Sequence, residues 1–299
     1  MNPWIKAFRL RTLPLGIASV GMGTILAYGE GRHSWLIAGL TLLTTVLLQV
    51  LSNVANDYGD SENGADNELR EGPLRQTQIA AISRSAMKNA MILLGILTLI
   101  SGISLHLVSG ISTQAIITLF ILGLICIIAA IKYTAGDNPY GYAGLGDLSV
   151  LVFFGWIGVL GTYYLQTKTL ANGTYILPAT TLGLFMAGVL NINNIRDIIS
   201  DKAAGKRSIP VRIGRPKAVI YHWSLLIGGL GLAVLFVALN FKGSIQFVFL
   251  AVLPLLLING KSVASKTEAM TLDPYLKQLV LTTLLFVITF GIGHIISHI

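Results

Sequence analysis

The sequence predicts an all-α integral membrane protein, built as a bundle of about nine transmembrane helices around a central cavity that opens to the cytoplasmic face. Of the 299 residues, 54% are hydrophobic and only 11% are charged, and the mean hydropathy is +0.73. A chain of this composition is too apolar to be a soluble domain. Nine apolar runs are also long enough, at ~17 to 25 residues, to cross the hydrocarbon core of a bilayer as helices. The whole chain, residues 1–299, is therefore expected to form a single polytopic domain.

The nine predicted spans are joined by short connections on one side of the membrane and by three longer ones on the other. They cover residues 13–29, 35–55, 86–107, 113–133, 147–166, 174–194, 218–239, 244–260 and 276–297. Glycines recur inside them, for example Gly155, Gly158 and Gly161, and small residues let helix backbones approach closely in a bilayer. The single cysteine, Cys126, lies inside the fourth span, which excludes an intrachain disulfide and a thiolate metal site.

Lysine and arginine are distributed unevenly between the two sides of the predicted bundle. With the N-terminus in the cytoplasm, all but three of the 21 basic residues fall on the cytoplasmic side, and the exceptions are Arg32, Lys168 and Lys242. Cytoplasmic loops of membrane proteins carry such an excess. We therefore expect a protein of the cell's inner membrane whose N-terminus faces the cytoplasm and whose C-terminus faces outward. Topology and anionic lipid headgroups then account for the formal net charge of +8, and no nucleic-acid partner is expected.

Two stretches rich in asparagine and aspartate stand at the inner ends of the second and the sixth spans. One runs from Asn53 to Asp66 and the other from Asn193 to Asp201. In each, oxygen-bearing side chains recur three or four residues apart, so that they share a face of a helical turn. They are Asn53, Asn56, Asp57 and Asp60 in the first stretch, and Asn193, Asp197 and Asp201 in the second.

Carboxylates stacked in this way repel one another, and a divalent cation relieves the repulsion. Hard oxygen ligands with room left for water suit Mg²⁺ that bridges to the phosphate oxygens of a substrate. The alternative is that these residues are helix caps and polar loop residues at the ends of membrane helices. Because two such stretches occur at equivalent places in the chain, the sequence favours a magnesium site on the cytoplasmic face.

Basic residues follow both stretches and would offset the charge of a diphosphate, although the positive-inside bias alone also explains most of them. They are Arg70, Arg75, Lys202, Lys206, Arg207 and Arg212. A third inner loop, from Lys132 to Asp147, is rich in glycine and tyrosine. It could cap a cavity and stabilise a cation with its aromatic faces, or it could be an ordinary turn at the membrane interface.

The first of these stretches resembles the first aspartate motif of the intramembrane aromatic prenyltransferases of the UbiA superfamily, and Asp197 and Asp201 match the second motif. The resemblance is closest to the branch that prenylates 1,4-dihydroxy-2-naphthoate in menaquinone synthesis. Four further segments are similar to that branch, namely 9–14, 64–73, 144–166 and 204–214. In the commoner form of the first motif the last aspartate stands where this chain has Gly64, whereas here the acid is Asp66.

The resemblance implies a Mg²⁺-dependent aromatic polyprenyltransferase that joins a polyprenyl diphosphate to dihydroxynaphthoate with loss of CO₂, giving a demethylmenaquinone. It implies that Asp60, Asp197 and Asp201 are catalytic. The implied magnesium ligands are Asn56, Asp57, Asp60, Asp66, Asn193, Asp197 and Asp201, and the implied substrate-binding residues are Asn53, Arg70, Lys132, Tyr133, Tyr142, Lys206 and Arg212. Among these, Lys132 ends the fourth span and is expected to oppose the carboxylate of the acceptor.

Two other functions remain open at this point. One is a prenyltransferase for another aromatic acceptor, such as 4-hydroxybenzoate. The other is a polytopic transporter, but its acidic residues would be expected near the bilayer midplane within broken helices. In this sequence the acidic residues stand at helix ends on one face.

Overall fold

The structure, a computed structural model, describes residues 2–65, 72 and 75–298. Within these residues it contains nine helices that are long and apolar enough to cross a membrane, as the sequence predicted. They are α1 (Pro3–Gly29), α2 (Trp35–Glu62), α3 (Arg84–Ser109), α4 (Thr113–Lys132), α5 (Gly146–Thr167), α6 (Gly173–Arg196), α7 (Ile209–Leu239), α8 (Ser244–Ser265) and α9 (Ala269–Ile296). The chain is thus a helical, multi-pass membrane protein.

The inner ends of α2 and α6 differ from the sequence prediction, which placed loops at 56–85 and 195–217. α2 continues as regular helix to Glu62. It ends where Gly64 takes a left-handed φ of 76°, a conformation that terminates helices readily. A short helix, Ile198–Ala203, follows α6. Both acidic stretches therefore lie largely on helical turns, and their three- and four-residue spacings do bring side chains to one face.

α1 is interrupted near its N-terminal end. It is helical over Pro3–Ala7 and again over Leu13–Gly29, and between these segments Arg9 takes a left-handed φ of 50°. Gln49 of α2 holds the bend, because its Nε2 donates to the carbonyl of Thr12 at 2.7 Å. The bend turns the N-terminal segment across the inner half of α2 and brings Arg9 to Asp57 of the first acidic stretch.

The helices pack in two groups around separate hydrophobic clusters. α6 lies at the centre of the larger group, where it contacts α1, α5, α7 and α9, and 72% of its most apolar stretch is buried. Leu182, Phe185 and Phe286 belong to the core of this group. In the smaller group α2 packs against α3 and α4, with Leu51 and Met87 in its core.

The three glycines that the sequence predicted as packing positions in α5 have different surroundings. A Cβ on Gly155 would lie 3.1 Å from the Cα of Gly183, so α5 and α6 approach closely there, as predicted. A Cβ on Gly158 would lie 3.0 Å from the Cβ of Ser19. Gly161 instead has nothing within 4 Å and lines an open space, so its absent side chain widens a cavity and packs no helix.

That space is a cavity of about 850 Å³ between the two groups of helices. Its inner end is lined by both acidic stretches, and its remaining walls are mostly apolar side chains of α3, α4 and α5, including Ile103, Phe120 and Phe153. Along α2 the lining runs from Thr41 to Asp60, which is about 28 Å at 1.5 Å per residue. The cavity is therefore a long apolar chamber with one strongly polar end.

Candidate active site

The two acidic stretches meet at the polar end of the chamber. Lys206 lies between them, because its Nζ is 2.9 Å from Asp60 Oδ1 and 3.5 Å from Asp201 Oδ1. The lining of the same cavity includes every described acid and amide of the predicted site, namely Asn53, Asn56, Asp57, Asp60, Asn193, Asp197 and Asp201. The structure thus brings together residues that are more than a hundred positions apart in the sequence.

Two arginines offset the charge of the first stretch. Asp57 Oδ1 lies 2.6 Å from Arg9 Nη2 and 3.1 Å from Arg75 Nη1. Arg75 Nη2 also lies 3.6 Å from Asp60 Oδ2, so one guanidinium bridges both carboxylates. The side chains of Asp57 and Asp60 are each 3% exposed, and buried carboxylates need such partners because water solvates them poorly.

The side chains of the second stretch are held by Arg196, which stands within the stretch next to Asp197. Arg196 Nε and Nη2 donate to the two carboxylate oxygens of Asp197, each at 2.8 Å, and Nη2 also donates to Asn193 Oδ1 at 2.8 Å. Gly72 lies directly against this pair, since a Cβ there would come within 2.8 Å of Asp197 Oδ1. Gly72 therefore packs against the second stretch.

Asn53 and Asn56, the two asparagines of the first stretch that were predicted as site residues, hydrogen-bond to different neighbouring segments. Asn53 lines the cavity, but its Nδ2 donates to the carbonyl of Phe8 at 3.0 Å, so it fastens the N-terminal segment. Asn56 Oδ1 accepts from Thr134 Oγ1 at 2.9 Å. Thr134 also donates to the carbonyl of Ala55 at 3.2 Å, which docks the glycine-rich loop onto α2.

The glycine-rich loop covers the polar end of the chamber. Tyr142 Oη donates to Asp60 Oδ1 at 3.1 Å, and Lys206 Nζ lies 4.8 Å from the centroid of the Tyr142 ring. The carbonyl of Tyr142 accepts from the backbone N–H of Arg207 at 2.8 Å, so the loop is fixed to both acidic regions. Tyr133 lines the cavity beneath it, and burial raises the pKa of its hydroxyl, which keeps this group neutral.

The structure corrects the placement of two predicted substrate-binding cations. Lys132 is exposed and is not among the residues that line the cavity. The lining residues of α4 share one face, which includes Gly123, Cys126 and Ala130, and position 132 lies roughly on the opposite face of a helix with 3.6 residues per turn. Arg212 donates to the carbonyl of Ala143, so it anchors the loop from outside the chamber.

Two further predicted site residues, Asp66 and Arg70, lie outside the described residues. Four cavity-lining arginines were not among the site residues predicted from the sequence: Arg9, Arg11, Arg75 and Arg196. From the sequence, Arg9 and Arg11 are only alternatives to Lys132 for holding the acceptor's carboxylate, and Arg75 and Arg196 carry only a positive-inside interpretation or a nearness to an acidic stretch. For Arg196 the position three residues after Asn193 and next to Asp197 was a local signal. For Arg9 no local pattern pairs it with α2.

The donor set fits a magnesium ion that a substrate helps to hold. Within the described part of the chain, no group of three His, Cys, Asp or Glu side chains is arranged to hold a metal ion by itself. Mg²⁺ is commonly bound by one or two carboxylates together with water and substrate phosphate oxygens. The pair formed by Asp60 and Asp201 around a shared ammonium group meets that requirement.

The fold and the site define a multi-pass membrane protein with a paired acidic and basic centre at one end of a long apolar chamber. The chain belongs to the UbiA prenyltransferase family, whose family model matches residues 16–272. The resemblance inferred from the two aspartate motifs is therefore confirmed.

Individual proteins of this family are similar to the chain over nearly its whole length. The 1,4-dihydroxy-2-naphthoate octaprenyltransferase of Escherichia coli (strain K12) is 44% identical in an alignment of 289 residues that covers 95% of this chain and 94% of the relative. The Haemophilus influenzae protein of the same description is 43% identical over 302 residues, 99% of this chain and 97% of that protein. A solved structure of a UbiA homolog from Archaeoglobus fulgidus bound to GPP and Mg²⁺ matches with a TM-score of 0.67 at 16% identity, covering 98% of this chain and 99% of that one. This last likeness supports the fold.

Proposed function

We propose that this protein transfers a polyprenyl group from a polyprenyl diphosphate to 1,4-dihydroxy-2-naphthoate, with release of diphosphate and CO₂. The product is a demethylmenaquinol, the reduced form of a demethylmenaquinone. The observation that carries this proposal is the meeting of Asp60 and Asp201 around Lys206 at the polar end of a long apolar chamber. The two relatives described above support the choice of acceptor.

Magnesium would be held on one side by Asn56 and Asp60 and on the other by Asp197 and Asp201. Bound there, it supplies positive charge that stabilises the departing diphosphate. The protein's own cations add to this charge. Lys206 and Arg75 lie at the carboxylates, with side chains 15% and 14% exposed, so both can reach phosphate oxygens from the wall of the chamber.

The chamber suits the other end of the same substrate. When the bond from the allylic C1 to the diphosphate oxygen breaks, both electrons leave with the diphosphate and C1 becomes cationic. Side chains such as Phe153 and Phe154 face this space and exclude water that would capture the cation. The length of the apolar lining accommodates several isoprene units, and the rest of the tail can lie in lipid.

The acceptor's carboxylate needs a cation inside the chamber, and Lys132 is exposed and does not line the cavity. The N-terminal segment offers three lining cations in its stead, Lys6, Arg9 and Arg11. Attack by the ring on C1 forms the new carbon–carbon bond, and loss of the carboxylate as CO₂ restores the aromatic ring. A cation that holds the carboxylate also orients the ring toward C1.

An assay of the purified protein tests this proposal. One labelled polyprenyl diphosphate is supplied with Mg²⁺ and either dihydroxynaphthoate or 4-hydroxybenzoate, and both the prenylated product and released CO₂ are measured. We expect product and CO₂ in equal amounts with dihydroxynaphthoate, and neither when Mg²⁺ is chelated. Preferential turnover of 4-hydroxybenzoate would establish the alternative prenyltransferase, and no turnover of either acceptor would overturn the proposal.

Mg²⁺ binding should weaken in mildly acidic solution. Burial and the neighbouring carboxylates of Asp197 and Asp60 raise the pKa of Asp201 to about 6, although Lys206 opposes this shift. A protonated carboxyl cannot serve as a charged ligand, so each pH unit below this value should weaken Mg²⁺ binding by up to about tenfold. Calorimetric titrations at about pH 7 and about pH 5 check the expectation, and equal affinity at both would contradict it.

We also propose that the active site faces the cytoplasm, with the C-terminus outside, in the inner membrane of the cell. The support is the excess of basic residues on the side of the acidic stretches. The single native cysteine, Cys126, is buried, so introduced cysteines report their own accessibility. A membrane-impermeant maleimide should label Lys242→Cys in intact cells and Lys202→Cys only after permeabilisation, since both positions are exposed. The reverse pattern would invert the topology.

A further inference from the structure

A row of four charged side chains runs from the bend in α1 to the second acidic stretch, across the start of α9. Asp273 accepts hydrogen bonds from two arginines: Arg11 Nη1 donates to its Oδ2 at 3.1 Å, and Arg196 Nη1 donates to its Oδ1. Arg196 in turn holds both carboxylate oxygens of Asp197. The guanidinium of Arg196 therefore joins Asp273 to Asp197, which is a predicted magnesium ligand.

The charges of Arg196 and its two carboxylate partners interact strongly because the side chains are largely buried. The side chains of Arg196 and Asp197 are 2% and 3% exposed, and that of Asp273 is 20% exposed. Charges in such surroundings are screened much less than charges on an open surface. With Asp273 ionised, the side chains of Asp273, Arg196 and Asp197 together carry one negative charge, and the charge of Arg11 beside them is screened more strongly because its side chain is 38% exposed. Without Asp273, the charges of Arg196 and Asp197 cancel each other. A cation that approaches Asp197 would then meet a neutral ion pair.

We propose that Asp273 is a positioning residue for divalent cation binding, because it shares Arg196 with Asp197 and so leaves net negative charge on the second acidic stretch. The inference rests on the proposed function, since the cation is the one at the diphosphate site. In the sequence Asp273 is one acid in the predicted connection between the eighth and ninth spans, with no motif around it. The structure gives it an electrostatic role at a site to which it contributes no ligand.

A purely mechanical role for Asp273 makes a different forecast. In that case Asp273 would only tie the start of α9 to α1 and α6, and its loss would loosen the bundle whatever the charge on Arg196. In the electrostatic account, the defect caused by removing Asp273 comes from the uncompensated guanidinium. Removal of Arg196 as well should then restore the negative charge of Asp197 and with it the binding of the cation.

The test is a calorimetric titration of Mg²⁺ into the full-length protein in detergent. The protein is saturated with geranyl thiolodiphosphate, an unreactive analogue in which sulfur replaces the bridging oxygen. We expect Asp273→Asn to weaken Mg²⁺ binding by about tenfold, the lower end of the effect of outer-shell partners on metal affinity. The matched control is Glu268→Gln, which removes an exposed acid from the same predicted connection between the eighth and ninth spans and should change the affinity by less than about twofold.

The double variant Arg196→Gln with Asp273→Asn should return to within about threefold of the wild-type affinity, because its local charge equals that of the wild type. A double variant no better than Asp273→Asn would overturn the proposal, as would wild-type affinity in Asp273→Asn. If Asp273→Asn does not fold, Arg196→Gln alone decides, since the proposal expects binding at least as tight as the wild type and weaker binding would refute it. Absence of Mg²⁺ binding by the wild type would overturn the magnesium site itself, which is a separate result.

Discussion

Replacement of Asp60 or Asp201 by asparagine is expected to lower kcat/KM for the polyprenyl diphosphate by about 10²- to 10³-fold, because each change removes charge stabilisation at the leaving group. The two carboxylates flank Lys206 Nζ at 2.9 and 3.5 Å, so the loss of either disrupts the same centre. Asparagine keeps the size and the polar surface of aspartate, so the bundle should stay folded. Steady-state kinetics of the purified variants at saturating Mg²⁺ measure the effect.

The double variant and a matched control sharpen this expectation. Residues that act as one unit have strongly non-additive effects, so the variant lacking both carboxylates should be little worse than either single variant. Glu62→Gln removes an exposed acid two positions after Asp60 on the same helix and should leave turnover nearly unchanged. Near-normal turnover by Asp201→Asn would return the second stretch to its interpretation as a polar helix end.

Replacement of Lys206 by glutamine is expected to lower kcat/KM for the polyprenyl diphosphate by about 10²-fold. The change removes a largely buried cation that faces the negative charge developing on the leaving diphosphate. The acceptor should keep its KM, because only the diphosphate loses a counter-charge. The Mg²⁺ concentration for half-maximal rate should not rise, because Asp60 and Asp201 lose a competing cation. Kinetics with each substrate and with Mg²⁺ varied in turn measure all three quantities.

Lys202 provides the comparison for this variant. It lies four residues before Lys206, is exposed and does not line the cavity, so Lys202→Gln should behave as the wild type. A higher requirement for Mg²⁺ in Lys206→Gln, with an unchanged KM for the diphosphate, would contradict the expected role. It would show that Lys206 orders the carboxylates and does not bind the substrate.

The features that the sequence predicted correctly depend on local patterns. Hydropathy over about twenty residues identifies a membrane helix because the bilayer thickness sets its length, and the nine spans follow from that alone. The spacing of Asp57 and Asp60, and of Asp197 and Asp201, identifies shared faces because the helical repeat sets the direction of each side chain. The prediction that the two stretches meet came from their equivalent positions and from the family resemblance.

The features that the sequence did not predict depend on contacts between distant segments. Lys132 was predicted as a site residue because it stands at the end of its span. The position of the cavity relative to α4, however, decides which face of that helix lines the site. Asn53 donates to the backbone of an N-terminal segment whose bend at Arg9 no local pattern foretells. Arg196 and Asp273 are 77 positions apart in the chain, and their pairing depends on how α6 and α9 pack.

Titration with Mn²⁺ followed by electron paramagnetic resonance tests most directly whether the two acidic stretches form one cation site that a diphosphate completes. Wild-type protein should bind Mn²⁺ tightly only with geranyl thiolodiphosphate present. Asp60→Asn and Asp201→Asn should each weaken that binding by about 10-fold or more, although these residues come from different stretches. Binding that is equally tight without the diphosphate analogue, or that is lost in one variant and unchanged in the other, would contradict a single shared site.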